Sequence, residues 1–76
     1  MSTQLMIPRL EMAMTEGTLA EWLVADGAQV KEGDMIYVLE TGKATQDIAA
    51  PASGRLQHKG TAGEVYAVGT EIGEIT

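Results

Sequence analysis

Tyr37-Val38-Leu39-Glu40-Thr41 and Ala44-Thr45-Gln46-Asp47-Ile48 are two strand-like runs that meet at a two-residue break, Gly42-Lys43. Gly followed by any residue suits a type II′ hairpin loop. The first central position needs positive φ, and Gly supplies it without a Cβ clash. The spacing therefore predicts a hairpin with Gly42 at positive φ. Lys43, in the second central position, is pushed off the tip into water, its amine held away from the body of the fold. A lone Gly-Lys turn is ordinarily just a solvated turn, so any further meaning has to come from the residues around it.

Outward from this hairpin, Gly or Pro falls at positions 8, 17, 27, 33, 42, 51, 54, 60, 63, 69 and 73. Most intervals are too short for a stable helix, and helical periodicity is nowhere sustained. Short strands separated by turns at this density predict an all-β sandwich or barrel. Leu39 is a predicted core residue. Trp22, inside the apolar run Leu19 to Val24, is expected in the core and not as a ligand. The five Met residues are expected as core filler and at termini, and the lone His58 as a surface residue.

The chain also repeats itself. A shift of 36 positions places Gly27 on Gly63, Val30 on Tyr66, Gly33 on Gly69, Ile36 on Ile72 and Leu39 on Ile75. Upstream, Gly17 pairs with Gly54 and Leu19 with Leu56 at a shift of 37, so the second half is one residue shorter. Matching glycines imply matching turns, and matching apolar positions imply matching core faces. Two similar antiparallel units related by a pseudo-twofold axis follow. Lys43 comes just after the end of the first unit and Thr76 just after the end of the second. The axis then places the lysine hairpin and the chain termini at opposite ends of the molecule.

Composition narrows the functions. At 76 residues the chain suffices for one small domain, residues 1–76, with no room for both a core and an enclosed catalytic cleft. No Cys is present, so neither a disulfide nor a thiolate metal site is available, and one His rules out multi-His zinc sites. Eleven acids against five bases give a net charge of −6, spread along the chain, which argues against nucleic-acid or anionic-membrane binding. An acidic surface of this kind keeps a small domain soluble and monomeric and complements basic patches on partner enzymes. No apolar run approaches the roughly 20 residues of a membrane span. Met1-Ser2-Thr3-Gln4 lacks signal and transit patterns, which points to a bacterial cytoplasm, or to the mitochondrial matrix for a eukaryotic fragment.

Several segments in register carry a family resemblance from Ile7 to Ile75. They are Met14-Thr15-Glu16-Gly17-Thr18, Val30-Lys31-Glu32-Gly33-Asp34, Glu40-Thr41-Gly42-Lys43-Ala44-Thr45, Ala50-Pro51 with Gly54, and Val68-Gly69-Thr70. Together they resemble the lipoyl domain of the acyltransferase component of 2-oxo acid dehydrogenase complexes, in the biotinyl/lipoyl-carrier family. That family's fold is a flattened barrel, or barrel-sandwich hybrid, of two four-stranded antiparallel sheets with pseudo-twofold symmetry.

The resemblance implies lipoic acid in amide linkage on Lys43. It implies a swinging-arm carrier that takes an acyl unit from a thiamine diphosphate-dependent decarboxylase and delivers it to the acyltransferase core. A flavoprotein, dihydrolipoamide dehydrogenase, then re-oxidises the arm. A separate lipoate ligase or transferase must recognise the hairpin, with Glu40, Thr41, Gly42, Ala44 and Thr45 as the recognition and register residues. The chemistry belongs to the cofactor, so the domain is expected to be non-catalytic. Ordinary strand packing is the competing reading of Thr41 and Thr45, and solvation of an exposed face that of Glu40 and Asp47.

Two departures from the family stand out. An Asp usually precedes the lysine, where this chain has Gly42, which puts recognition by the decarboxylase in doubt more than modification. Gly42 also gives the turn more freedom to lose on folding. The segment Arg55 to Gly63 is one residue shorter than the family's commonest spacing, which tightens a loop. Ala44-Thr45 leans towards pyruvate- or acetoin-type complexes. A biotin carrier has the same fold and hairpin lysine, but typically Met on both sides of it, where Lys43 has Gly42 and Ala44. An unmodified structural or interaction barrel is the third reading.

Overall fold

The computed structural model describes residues 2–10, 12–42 and 44–76. Eight strands follow in order: β1 (Thr3–Met6), β2 (Glu16–Trp22), β3 (Gln29–Val30), β4 (Met35–Glu40), β5 (Thr45–Ala49), β6 (Gly54–His58), β7 (Val65–Ala67) and β8 (Glu71–Ile75). No helix occurs among the described residues. They form two four-stranded sheets, ordered β1-β8-β6-β3 and β5-β4-β2-β7, with every pairing antiparallel. The sheets stay separate, so the expected flattened fold is realised as a sandwich and not as a closed barrel.

Replacing each of β1 to β4 by the strand four places later converts one sheet order into the other, as a pseudo-twofold axis requires. The turn glycines agree. Gly27 and Gly63 have φ of 85° and 93°, and Gly33 and Gly69 have 95° and 91°. A side chain is strained in this left-handed region, which fixes glycine at equivalent turns. The core is shared in the same way: Leu19 with Leu56, Ile36 with Ile72 and Leu39 with Ile75 are all buried.

The residue missing from the second half has a structural location. In β2, Leu19 faces Leu39 but Glu21 faces Val38, so Ala20 is the extra residue of a β-bulge. In β6, Leu56, Gln57 and His58 face Ile75, Glu74 and Gly73 without interruption. The repeat shift therefore changes from 37 to 36 within β2. Beyond the bulge, the pair Trp22–Tyr37 corresponds to the pair His58–Gly73.

Trp22 and His58 meet across the axis, with ring centroids 3.9 Å apart and planes 9° from parallel. Trp22 also meets Tyr37 edge-on at 5.6 Å, and its indole N–H donates to the Gly60 carbonyl at 3.1 Å. It packs against the core as expected, although it is only partly buried. His58 departs from the surface reading. Its Nε2 donates to the Val24 carbonyl (2.9 Å), and its backbone N–H to Asp26 Oδ1 (2.8 Å). The ring is held in place by its bond to the Val24 carbonyl while its face covers the indole.

The methionines depart as well. Met14 alone among the described ones joins the core, whereas Met6, Met12 and Met35 are exposed. Val30, Ile36, Leu39 and Ile72 are fully buried and fill the interior with branched side chains.

Candidate functional site

β2 starts beside the end of β4, where Thr18 faces Glu40, and runs away to Trp22. β6 starts beside the end of β8, where Leu56 faces Ile75, and runs away to His58. The two strands meet at the Trp22–His58 stack. The β4–β5 turn lies beyond the start of one strand and the terminal residues beyond the start of the other.

The hairpin itself is continuous. Met35, Tyr37, Val38, Leu39 and Glu40 face Ala49, Ile48, Asp47, Gln46 and Thr45. Beyond the last of these pairs, the Thr41 N–H donates to the Ala44 carbonyl at 2.8 Å. The Thr41 hydroxyl bonds both the Ala44 carbonyl (3.2 Å) and the Ala44 N–H (3.3 Å). Thr41 and Ala44 are thus joined across the end of the hairpin by main-chain and side-chain bonds.

The turn type departs from expectation. Gly42 is not among the glycines of positive φ, which excludes type II′. The Thr41 side chain supplies the reason. Its hydroxyl takes the Ala44 N–H that a type II′ loop would give to the Thr41 carbonyl, so the chain closes without a left-handed first residue. Thr41 thus closes the turn, a role that neither of its two sequence readings, recognition and register or ordinary strand packing, names.

Lys43, the expected attachment residue, lies outside the described residues. The residues proposed to flank it are described. Glu40, Gly42, Ala44 and Thr45 are exposed, and Thr41 is half-buried. A Cβ built on Gly42 would meet nothing within 4 Å. Gly42 therefore stands in open solvent at the end of the β4–β5 hairpin. Such a turn admits a modifying enzyme from several directions, and it suits a covalently attached acyl arm of either the lipoyl or the biotinyl kind.

The surroundings contain little else that is reactive. Among the described residues, no group of three or more His, Asp or Glu side chains could hold a metal ion. Lys59 is engaged in an ion pair with Glu71, which accepts its hydrogen bond and holds the ammonium above its usual pKa. Lys31 is exposed and begins a turn in which its N–H donates to Asp34 Oδ2 at 2.9 Å. No helix among the described residues is long and apolar enough to cross a membrane.

A second feature was not legible in the sequence. Between the edge strands β1 and β5 lies an apolar cleft of about 430 Å³, lined in part by Leu5, Ile7, Ile48, Pro51 and Val68, with Tyr37 in its wall. Burial pushes the Tyr37 phenol up to about 12. Only the meeting of two sheet edges creates this space, and neither strand announces it alone.

Comparison with known proteins places this geometry among carriers. Residues 3–75 match the biotin/lipoyl family model, described as "Biotin-requiring enzyme". The chain is 38% identical, over 76 residues, to the dihydrolipoyllysine-residue succinyltransferase component of the 2-oxoglutarate dehydrogenase complex of Rickettsia felis. That match covers 99% of this chain and 19% of the relative. It is also 38% identical, over 82 residues, to the dihydrolipoyllysine-residue acetyltransferase component of the pyruvate dehydrogenase complex of Zymomonas mobilis, covering 97% of this chain and 19% of that protein. The corresponding acetyltransferase component of Rhizobium meliloti is 44% identical over 54 residues, which cover 71% of this chain and 12% of the relative. The chain thus spans about a fifth or less of the length of these relatives.

Proposed function

The chain belongs to the biotin/lipoyl carrier family, and from that premise we propose that residues 1–76 are a swinging-arm lipoyl domain with lipoic acid in amide linkage to Lys43. The observation that carries this reading is the exposed turn clasped between Thr41 and Ala44, within Glu40-Thr41-Gly42-Lys43-Ala44-Thr45. The Rickettsia felis and Zymomonas mobilis relatives support lipoyl over biotinyl, because their names specify dihydrolipoyllysine residues. Gly42 and Ala44, in place of flanking methionines, support the same choice.

When attached, the group supplies the disulfide and thiol chemistry that a chain without Cys lacks. The chain's own residues present and discriminate. Thr41 fixes the turn, while Glu40, Gly42, Ala44 and Thr45 offer the surface that a lipoate ligase or transferase reads. The proposed partners are a thiamine diphosphate-dependent 2-oxo acid decarboxylase of pyruvate or acetoin type, an acyltransferase core and dihydrolipoamide dehydrogenase. Relatives from both pyruvate and 2-oxoglutarate complexes match comparably, so the choice of 2-oxo acid rests on Ala44-Thr45 alone. The isolated domain is proposed to be a non-catalytic monomer of the bacterial cytoplasm, or of the mitochondrial matrix in a eukaryote.

Intact-mass measurement after incubation with a lipoate ligase, ATP and lipoic acid tests the assignment. The expected result is one lipoyl amide on the wild type and none on Lys43→Arg, with both variants folded. An adduct on Lys31 or Lys59, or a biotin amide on protein from the native host, would overturn it.

A further inference from the structure

The cleft between β1 and β5 is an apolar concavity formed by residues outside the turn. The pseudo-twofold exchange relates these two edge strands, but they fill the seam unequally. β1 sends Leu5 fully into the core, whereas β5 contributes only the half-buried Ile48. The shortfall on the β5 side leaves about 430 Å³ open beside Ile48, Ala49 and Pro51. That volume is within the usual range for small-molecule sites, roughly 300–1,000 Å³, and such sites pair apolar walls with a few polar groups.

Tyr37 is the polar group here. The side chain is only 2% exposed, and its hydroxyl makes no hydrogen bond with another described residue. Yet no side-chain oxygen or nitrogen of the described residues is both buried and unpartnered. The hydroxyl therefore keeps a small solvent contact, and Tyr37 is one of the residues that line the cleft. It is a neutral donor at physiological pH, poised inside an apolar wall.

The position of the cleft identifies its occupant. In the turn-bearing sheet Thr18 faces Glu40, and Gly17 and Glu16 continue past that level beside Tyr66 and Ala67. Val68 then donates to the Thr15 carbonyl at 3.0 Å, so Val68 and Gly69 line the cleft on the side where β2 starts beside the end of β4. On the other side, Ile48 lies four residues beyond Ala44 on β5, about 13 Å along a strand. The cleft thus runs beside the far part of the β4–β5 hairpin and opens on the side from which that hairpin's turn extends. A lysyl side chain extended by an eight-carbon acyl group has a comparable reach.

We propose that this cleft is a resting site for the lipoyl arm of the same molecule, an inference that rests on lipoylation of Lys43 as proposed above. The hydrocarbon chain and dithiolane ring lie against Ile7, Ile48 and Val68, and the Tyr37 hydroxyl offers a hydrogen bond to the arm. Docking removes apolar surface from water between encounters, and a partner enzyme draws the arm out by binding it more tightly. The arm is therefore partitioned between a sheltered and an extended state.

The test compares unmodified and lipoylated domain by amide chemical shifts, after intact mass has established the adduct. Expected are shifts at Ile48, Ala49, Val68 and Gly69 in addition to those beside the turn, unchanged on dilution. Ala49 is exposed and lines the cleft, so Ala49→Trp fills the mouth without opening the core. This variant should lose the remote shifts. It should also speed reduction of the ring by a water-soluble phosphine, about threefold if two-thirds of the arms rest in the cleft. Shifts confined to Thr41 through Thr45, with equal reduction rates in both proteins, would overturn the resting site while leaving the carrier assignment intact. Remote shifts that vanish on dilution would also overturn it, by showing the arm of a second copy. Absence of the adduct would sink the carrier assignment, and the resting site with it.

Discussion

The two halves of the chain share a backbone plan but differ where they meet. The first half carries Trp22 paired with Tyr37, and the second carries His58 paired with Gly73 at the equivalent places. A Cβ on Gly73 would lie 2.8 Å from the Gln57 carbonyl oxygen, 3.2 Å from the Trp22 ring and 3.3 Å from Leu5 Cδ1. The missing side chain of the second half is therefore the space into which the first half's indole fits. Strict symmetry would place two large rings, or none, across the axis. Two large rings from the first half, set against an imidazole and a glycine from the second, fill the centre without strain, in keeping with the close packing of interiors. The centre is locked by this difference, while the outer seam between β1 and β5 is left open by another.

The comparison breaks most severely at its centre. Gly73→Ala should cost about 1–3 kcal/mol, the usual range for overpacking, because one of its contacts is backbone that cannot swing away. Trp22 would be displaced from His58, and indole fluorescence should report the change together with a lower urea midpoint. Leu39→Ala, at a fully buried position, sets the upper scale at about 2–5 kcal/mol. For a domain with only about 5–15 kcal/mol in reserve, either loss is serious. An unchanged midpoint for Gly73→Ala would mean that the indole does not depend on that space.

The repeat was legible because its markers are backbone requirements. Gly27, Gly33, Gly63 and Gly69 are constrained by φ, so spacing alone disclosed the four matching turns. The hairpin at Gly42-Lys43 and the core positions Leu19, Leu39, Leu56 and Ile75 followed from the same kind of reading. What failed depended on side-chain partners remote in sequence or on local substitution of one hydrogen bond for another. His58 reads as a surface residue until Val24 and Trp22 are brought to it. The turn type reads as II′ until the Thr41 hydroxyl takes over a main-chain bond. The bulge at Ala20 was visible only as one residue missing from the other half. The exposed methionines misled because their flexible side chains suit core and surface equally.

A pH titration sharpens the contrast at Tyr37, whose counterpart Gly73 has nothing to ionise. Burial raises the phenol from its usual 10.0 to about 12 in the folded chain, so the fold favours the neutral form. Between those values the unfolded chain has released the proton while the folded chain retains it. The folded state binds more protons there, so stability must fall as pH rises. The contribution is whole below pH 10 and is lost progressively from pH 10 to about 12. Tyr37→Phe should remove that part of the decline, read as a smaller loss of denaturation midpoint over the window. An identical decline in both proteins would show that other groups govern alkaline unfolding.

The smallest effect on stability, and the most informative one on function, belongs to Gly42→Asp. No contact within 4 Å awaits a side chain there, and φ is not positive, so the Asp side chain enters without clash or strain. Stability should therefore change by no more than about 0.5 kcal/mol, as at other exposed sites. Lipoylation by the ligase should stay nearly the same, because Thr41 and Ala44 still clasp the turn. Reductive acylation by a pyruvate-type decarboxylase should speed up, because a carboxylate beside the lipoyl-lysine attracts a cationic group on the partner during encounter. Added salt should shrink the gain, since exposed charges separated by more than about 8–10 Å are screened near physiological ionic strength. Equal acylation rates for the two proteins at low salt would show that the partner reads other residues of the turn, with Glu40 and Thr45 the next exposed positions to vary.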